Sequence, residues 1–144
     1  ISHASHHKHT YYVVRHSEQL TGFTEHEIEL IAVIARYHRK SLPKSKHPEF
    51  DALSDDDRAL VEVLAGMLRI GIGLDRRHSG SVRSVRAISA DAVLVIEPVG
   101  AAGAEDLDVE IYAARERAEL LGRALDIEVR IEQPPATDAS TLSS

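Results

Sequence analysis

Hydrophobic residues in this chain change their spacing at Ser79-Gly80-Ser81, and that change narrows the folds open to it. Before it, apolar side chains recur every three or four residues, the period of a helix; after it they alternate, the period of a strand. A first helix is read over residues 5–19, broken at Thr21-Gly22. Thr24 is placed to cap a second, with Glu27 completing a capping box and Phe23 able to staple onto Ile28. Ile28, Ile31, Ala32 and Ala35 form its stripe, and Leu30, Val33 and Ile34 widen it nearly all round, so this helix is expected at the centre, ending by Pro43. Ser54 caps a third, with Asp55, Asp56 and Asp57 at its positive end and Leu60, Val61, Leu64, Met67 and Leu68 as its expected inner face. Gly71 and Gly73 continue that pattern. Each costs roughly 1 kcal/mol relative to Ala in a helix, which is tolerable where another backbone packs closely.

Beyond the switch, Val82, Val85 and Ile88, then Val93 to Ile96, read as two strands turning at Ala90-Asp91, with a loop from Pro98 to Gly103. One helix is expected from Asp108 to Leu125, with Val109, Ile111, Tyr112, Ala118, Leu121 and Leu125 as its apolar positions. Residues 126–132 alternate strictly, a strand with Ile127, Val129 and Ile131 inward. The fold class is therefore α+β: a helical part over 1–79, a small ββαβ lobe over 80–133, and a tail over 134–144 with nothing to bury, expected to be disordered.

Composition sharpens this. Aromatic residues are only 4%, so the core must be aliphatic, and the absence of cysteine excludes disulfides, thiolate zinc sites and a cysteine nucleophile. No apolar run approaches the roughly 20 residues of a membrane helix, and a cytoplasmic setting is expected. The chain opens at Ile1 without an initiator Met, which implies a piece of a longer protein.

Charge is graded along the chain. Residues 1–50 carry seven Lys/Arg against five Asp/Glu, whereas residues 104–144 carry four against ten. An acidic chain of net charge −6 is not expected to coat nucleic acid. Within the first segment, however, residues 36–47 (RYHRKSLPKSKH) hold five Lys/Arg and no acid. Arg36, Arg39 and Lys40 fall within about one helical turn, a pattern that suits an anion and equally suits the negative end of a helix dipole. Arg69, Arg76, Arg77 and His78 form a second cluster with the same two readings. Eight of nine histidines lie in the first segment, and His3 and His7 are spaced i, i+4. A hard metal ion also needs carboxylates, and no Asp or Glu precedes Ser17. Neither a nucleophile elbow nor a phosphate-cradling glycine loop is present.

The blocks HHKHTYY, GFTEHEI, RYHRK and LRIGIGLDRRH stand in an order and spacing that resemble the C-terminal region of the exopolyphosphatase and guanosine pentaphosphate phosphohydrolase (Ppx/GppA) phosphatase family. The resemblance covers residues 1–79 by motif and 80–133 by its ββαβ pattern. It implies an HD-like helical bundle, truncated at its N-terminus, beside a small α/β lobe. It also implies a missing N-terminal catalytic half that uses Mg²⁺ to release terminal phosphate from polyphosphate or guanosine pentaphosphate (pppGpp). No cofactor is expected in this chain, and by itself the chain is expected to be inactive. HD hydrolases carry a metal-binding Asp where this sequence has Ile72, which argues against metal hydrolysis here.

The expected role is that of an accessory domain that grips inorganic polyphosphate or pppGpp and contributes to a homodimer. The residues expected to hold the polyanion are His6, His7, Lys8, Arg36, His38, Arg39, Lys40, Lys44, Arg69 and Arg76. The expected partners also include the parent's catalytic half, and neither membrane nor nucleic acid. The rival readings are a metal-dependent HD-type phosphohydrolase using His6, His7 and His38, and a purely structural dimerisation module.

Overall fold

The structure, a computed structural model, describes residues 6–39, 41–101 and 106–134. The chain order is α1 (His6–Arg15), α2 (Glu25–Arg36), α3 (Pro48–Asp51), α4 (Asp55–Leu74), β1 (Val82–Ala90), β2 (Val93–Gly100), α5 (Asp108–Arg115), α6 (Glu119–Leu125) and β3 (Glu128–Ile131). The α+β class is as expected. The tail over 135–144 and part of the expected loop, 102–105, lie outside the described residues.

Helix starts follow the sequence closely. Thr24 Oγ1 accepts from the Glu27 amide (3.1 Å) while Glu27 accepts from the Thr24 amide (2.7 Å), a complete capping box. Ser54 Oγ accepts from the Asp57 amide (3.1 Å), and the three aspartates occupy the first turn of α4. His26 at the start of α2 reaches Asp57 (3.0 Å), tying the two helix starts together. Helix α2 stops at Arg36, well before Pro43. The next side chain, Tyr37, is fully buried and shares a 2.7 Å hydrogen bond with His47 Nδ1, which pulls the chain off the helix axis.

Two clusters of buried side chains share α4. Its first half gives Val61 and Ala65 to a cluster with Leu30, Val33, Tyr37 and Phe50. Its second half gives Ile70 and Leu74 to a cluster with Ile96, Ile111, Ala114, Leu121 and Ile131. The buried face therefore holds Val61, Ala65, Gly66, Arg69, Ile70, Gly73 and Leu74. Of the expected inner face only Val61 is inside; Leu60, Leu64, Met67 and Leu68 are exposed. Two glycines select the face. A Cβ on Gly66 would lie 2.8 Å from Leu121 Cα, and one on Gly73 would lie 2.7 Å from Ala114 Cα. Seven residues apart, they are two helical turns apart on one side, where α6 and α5 come in backbone to backbone. Gly71 meets nothing within 4 Å, so close packing accounts for Gly73 and not for Gly71.

The sheet has the order β1-β2-β3, with β1 antiparallel and β3 parallel to β2. The hairpin turns on Asp91 and Ala92, both at positive φ (51° and 61°), one residue later than expected and in the manner of a two-residue I′ turn. Strand β2 runs on through Pro98, which the sequence places in a loop. Pro98 pairs with Val85 of β1, whereas β3 accompanies β2 only as far as the Ile96–Ile131 pair, which leaves the β3 side of β2 open at residue 98. Strand β1 lies beyond the helical layer and is exposed along nearly its whole length, Val85 and Ile88 included.

The helix expected from Asp108 to Leu125 is two helices. At the corner, the Arg117 amide bonds to Ala114 O (3.0 Å), one residue short of the helical partner, and the Arg117 side chain takes the released Ala113 carbonyl (2.7 Å). Ile111, Ala118 and Leu121 face inward as expected, whereas Val109, Tyr112 and Leu125 are exposed. Ile127 and Val129 are half-buried and Ile131 buried, the alternation read for the last strand. No helix among the described residues is long and apolar enough to cross a membrane.

Candidate anion-binding cleft

Basic residues separated widely in the chain meet at one place. The end of α2 and the following loop supply His38, Arg39 and Leu42; the second half of α4 and its exit supply Arg69, Ile72, Arg76 and His78; the α5–α6 corner supplies Glu116, Arg117, Glu119 and Leu120. Together they line an open cleft of about 760 Å³. Arg76, Glu116 and Arg117 also border a second depression of about 580 Å³ along α5, so the concavity continues as a groove. Four arginines stand against two glutamates.

Arg69 anchors the floor. It is 8% exposed, and its Nη2 donates to the Arg39 carbonyl, which fastens the loop after α2 to α4. Burial pulls its pKa down, the nearby positive charge of Arg117 pulls it further, and Glu119 opposes both. A guanidinium remains charged at any ordinary pH, so Arg69 is a buried cation beside a second cation, Arg117, and an anion in the cleft would balance both charges. His38 Nδ1 lies 2.6 Å from the Ala35 carbonyl, which can only accept, so the proton is on Nδ1. His78, in left-handed backbone (φ 52°), reaches Asp75 at 3.2 Å.

Of the residues expected to bind a polyanion, the structure gathers His38, Arg39, Arg69 and Arg76. Arg36 does not join them. Its side chain is 6% exposed and bound to Glu49 at 2.6 Å, inside the helical core, whereas Arg39 follows the end of α2 at Arg36 and so is not held to the helix's side-chain spacing. Lys8 on α1 and Lys44 in the loop are exposed and away from the cleft lining. Lys40 and the side chains of His6 and His7 lie outside the described residues. Asp75 is the C-cap of α4, and its carboxylate contacts His78. Arg77 is held by the buried Glu110 through bonds of 2.8 and 2.9 Å. Sequence reasoning missed Arg117. It sits in the most acidic segment of the chain, and its only signal was an arginine spaced to face the corner of a helix whose break was not foreseen.

The donor set suits an anion and does not fit a hard metal ion. Guanidinium groups line the cleft, and the apolar Ile72 forms part of its wall. Among the described residues no three His, Asp or Glu side chains are grouped to hold a metal.

The family model described as Ppx/GppA phosphatase, domain III, matches residues 1–95, from before α1 into β2, and so includes the two cleft walls supplied by the α2 exit and by α4.

Proposed function

Because the chain belongs to the Ppx/GppA phosphatase family, through that family's domain III, we propose that it is an accessory, non-catalytic domain that holds the polyanionic substrate of a parent phosphatase. The substrate is inorganic polyphosphate or pppGpp, and the parent is a cytoplasmic enzyme whose Mg²⁺-dependent chemistry belongs to a separate catalytic half. The helical part is HD-like in this reading, and the domain contributes to a homodimer.

The observation that carries the reading is the convergence of Arg39, Arg69, Arg76 and Arg117 from three separate elements on one open groove. Guanidinium forks match phosphate oxygens in pairs, and a groove open along its length suits a chain of phosphates better than a closed pocket would. Glu116 and Glu119 keep the lining from being uniformly positive, which limits tight retention of a substrate that must be passed on. Contacts at an open groove are screened by salt, so affinity should be moderate and fall as ionic strength rises.

The test is titration of inorganic polyphosphate into the 144-residue chain at low and high salt. Binding at low salt that weakens at least about tenfold with Arg39→Ala plus Arg117→Ala, and is unchanged by Arg83→Ala on β1, supports the cleft. No binding at low salt, or binding indifferent to the double substitution, overturns it.

A further inference from the structure

The depression along α5 differs in chemistry from the arginine cleft that it continues. Arg76, Glu116 and Arg117 border both, so the end away from the cleft is made by Asp108, Val109, Tyr112 and Ala113. On α5, Asp108 and Tyr112, and Val109 and Ala113, are i, i+4 pairs, and each pair shares a face. Tyr112 is the one aromatic residue of the sequence after Phe50. Its side chain is 67% exposed, and Val109 beside it is 44% exposed. An aromatic ring thus stands open to solvent where the groove wall turns from guanidinium to apolar. The close contact of Gly73 with Ala113 and Ala114 seats the α4 exit beside the middle of α5, which brings Arg76 to the same depression as Tyr112.

An aromatic face with a guanidinium nearby is a platform for a nucleobase, which stacks on either plane. We propose that the α5 depression is a base subsite, and that the groove takes a purine nucleoside polyphosphate lengthwise, its base on Tyr112 and its phosphates over Arg117, Arg76, Arg69 and Arg39. The two depressions, about 580 and 760 Å³, each fall within the range of small-molecule sites, one for the base and one for a short phosphate chain. Charge fixes the direction. Asp108 at the far end repels phosphate and accepts a hydrogen bond from the exocyclic amine of adenine or guanine. The reverse orientation would set phosphate against Asp108 and the base among the arginines. A bare phosphate chain gains nothing at this end: Tyr112 and Val109 offer it no charge, and Asp108 and Glu116 repel it.

This inference rests on the cleft reading of the proposed function and adds to it a preference for phosphate chains that carry a nucleoside. Calorimetric titration of the full chain at low salt, without divalent cations, tests it with ATP, GTP and inorganic tripolyphosphate as the three ligands. Tripolyphosphate is the most highly charged of them, so tighter binding of a nucleotide reports the base and not the charge. The expected result is that the tighter of ATP and GTP binds at least about fivefold more strongly than tripolyphosphate. Tyr112→Ala should remove that difference and leave tripolyphosphate binding unchanged, while Tyr112→Phe should preserve it. Tyr112 is exposed, so both variants are expected to keep the fold. Nucleotides that bind no better than tripolyphosphate, or a preference that survives Tyr112→Ala, overturn the base subsite and leave the cleft standing. Failure of all three ligands to bind overturns the cleft and the subsite together.

Discussion

Gly73 of α4 lies against Ala114 of α5 so closely that a methyl group at 73 would stand 2.7 Å from Ala114 Cα. The obstacle is backbone, which cannot rotate away as a flexible side chain would. Gly73→Ala should therefore destabilise the chain by about 2–3 kcal/mol, and Gly66→Ala, facing Leu121 at 2.8 Å, by a similar amount. Gly71→Ala, in open space, should instead stabilise by roughly 0.5–1 kcal/mol through helix propensity. Urea denaturation of the three variants checks the contrast; equal effects at 71 and 73 would refute the close-packing account.

The buried ion pair of Arg36 and Glu49 makes a second prediction. Arg36 Nε already lacks a partner among the described residues, so removing Glu49 strips the cation of its remaining carboxylate. Glu49 is about a third exposed, which lets water compensate in part. Glu49→Ala should cost about 1–3 kcal/mol, while Arg36→Met, which removes the charge as well, should cost less. Thermal melts of both variants decide the order.

Acid should weaken the fold in two windows. Burial, followed by the positive charges of Arg36, Lys46 and Lys44, holds the His47 pKa below its ordinary 6.5, so the folded state favours neutral imidazole. Its contribution is complete above pH 6.5 and is lost as pH falls through the lower folded value. Hydrogen bonds from Arg77 hold the Glu110 carboxyl below its ordinary 4.5, so its contribution is present above that pH and is lost further down. His47→Gln should flatten the first limb of a stability–pH curve and Glu110→Gln the second. Tyr37, pushed up to about 12 chiefly by burial, stays protonated throughout both windows.

Arg117 faces Arg69 across the cleft lining and also hydrogen-bonds the Ala113 carbonyl at the helix corner. Arg117→Ala should therefore lower the melting temperature of the free chain by at most a few degrees, while reducing the rise produced by saturating polyphosphate. A variant that lost free-chain stability and kept the full ligand-induced rise would place Arg117 in structure and outside the anion site.

The hairpin turn offers a local test. Ala92 has φ 61°, a conformation in which its Cβ is crowded and where glycine is the preferred partner of the preceding Asp91. Ala92→Gly should stabilise by about 1 kcal/mol, read in the same urea titrations.

Local chemistry made much of this structure legible from sequence. The capping residues Thr24, Glu27 and Ser54 each act within one turn of chain, and each is found as read. The last strand, with its strict alternation, is also as read. Four of the ten expected anion-binding residues share the cleft, and they are those on the outer side of the α2 exit and on α4. Arg36 and Arg39 show why the others did not follow. Both belong to one basic run, yet α2 ends at Arg36, which stays in the core beside Glu49, while Arg39 lies on the chain that leaves the helix and reaches the cleft.

The sequence by itself determined the order of the main elements, the starts of α2 and α4, and the family. Tertiary structure decided which face of α4 is buried, where the helix from Asp108 breaks, and which arginines meet. The physical reason is that a helix apolar nearly all round has no preferred side in its own pattern. Gly66 and Gly73 break the tie because they alone on α4 admit the backbones of Leu121 and Ala114, and that contact links residues more than 40 positions apart. Once α5 and α6 are seated there, Leu60, Leu64, Met67 and Leu68 are turned outward, and Arg117 is carried to Arg69.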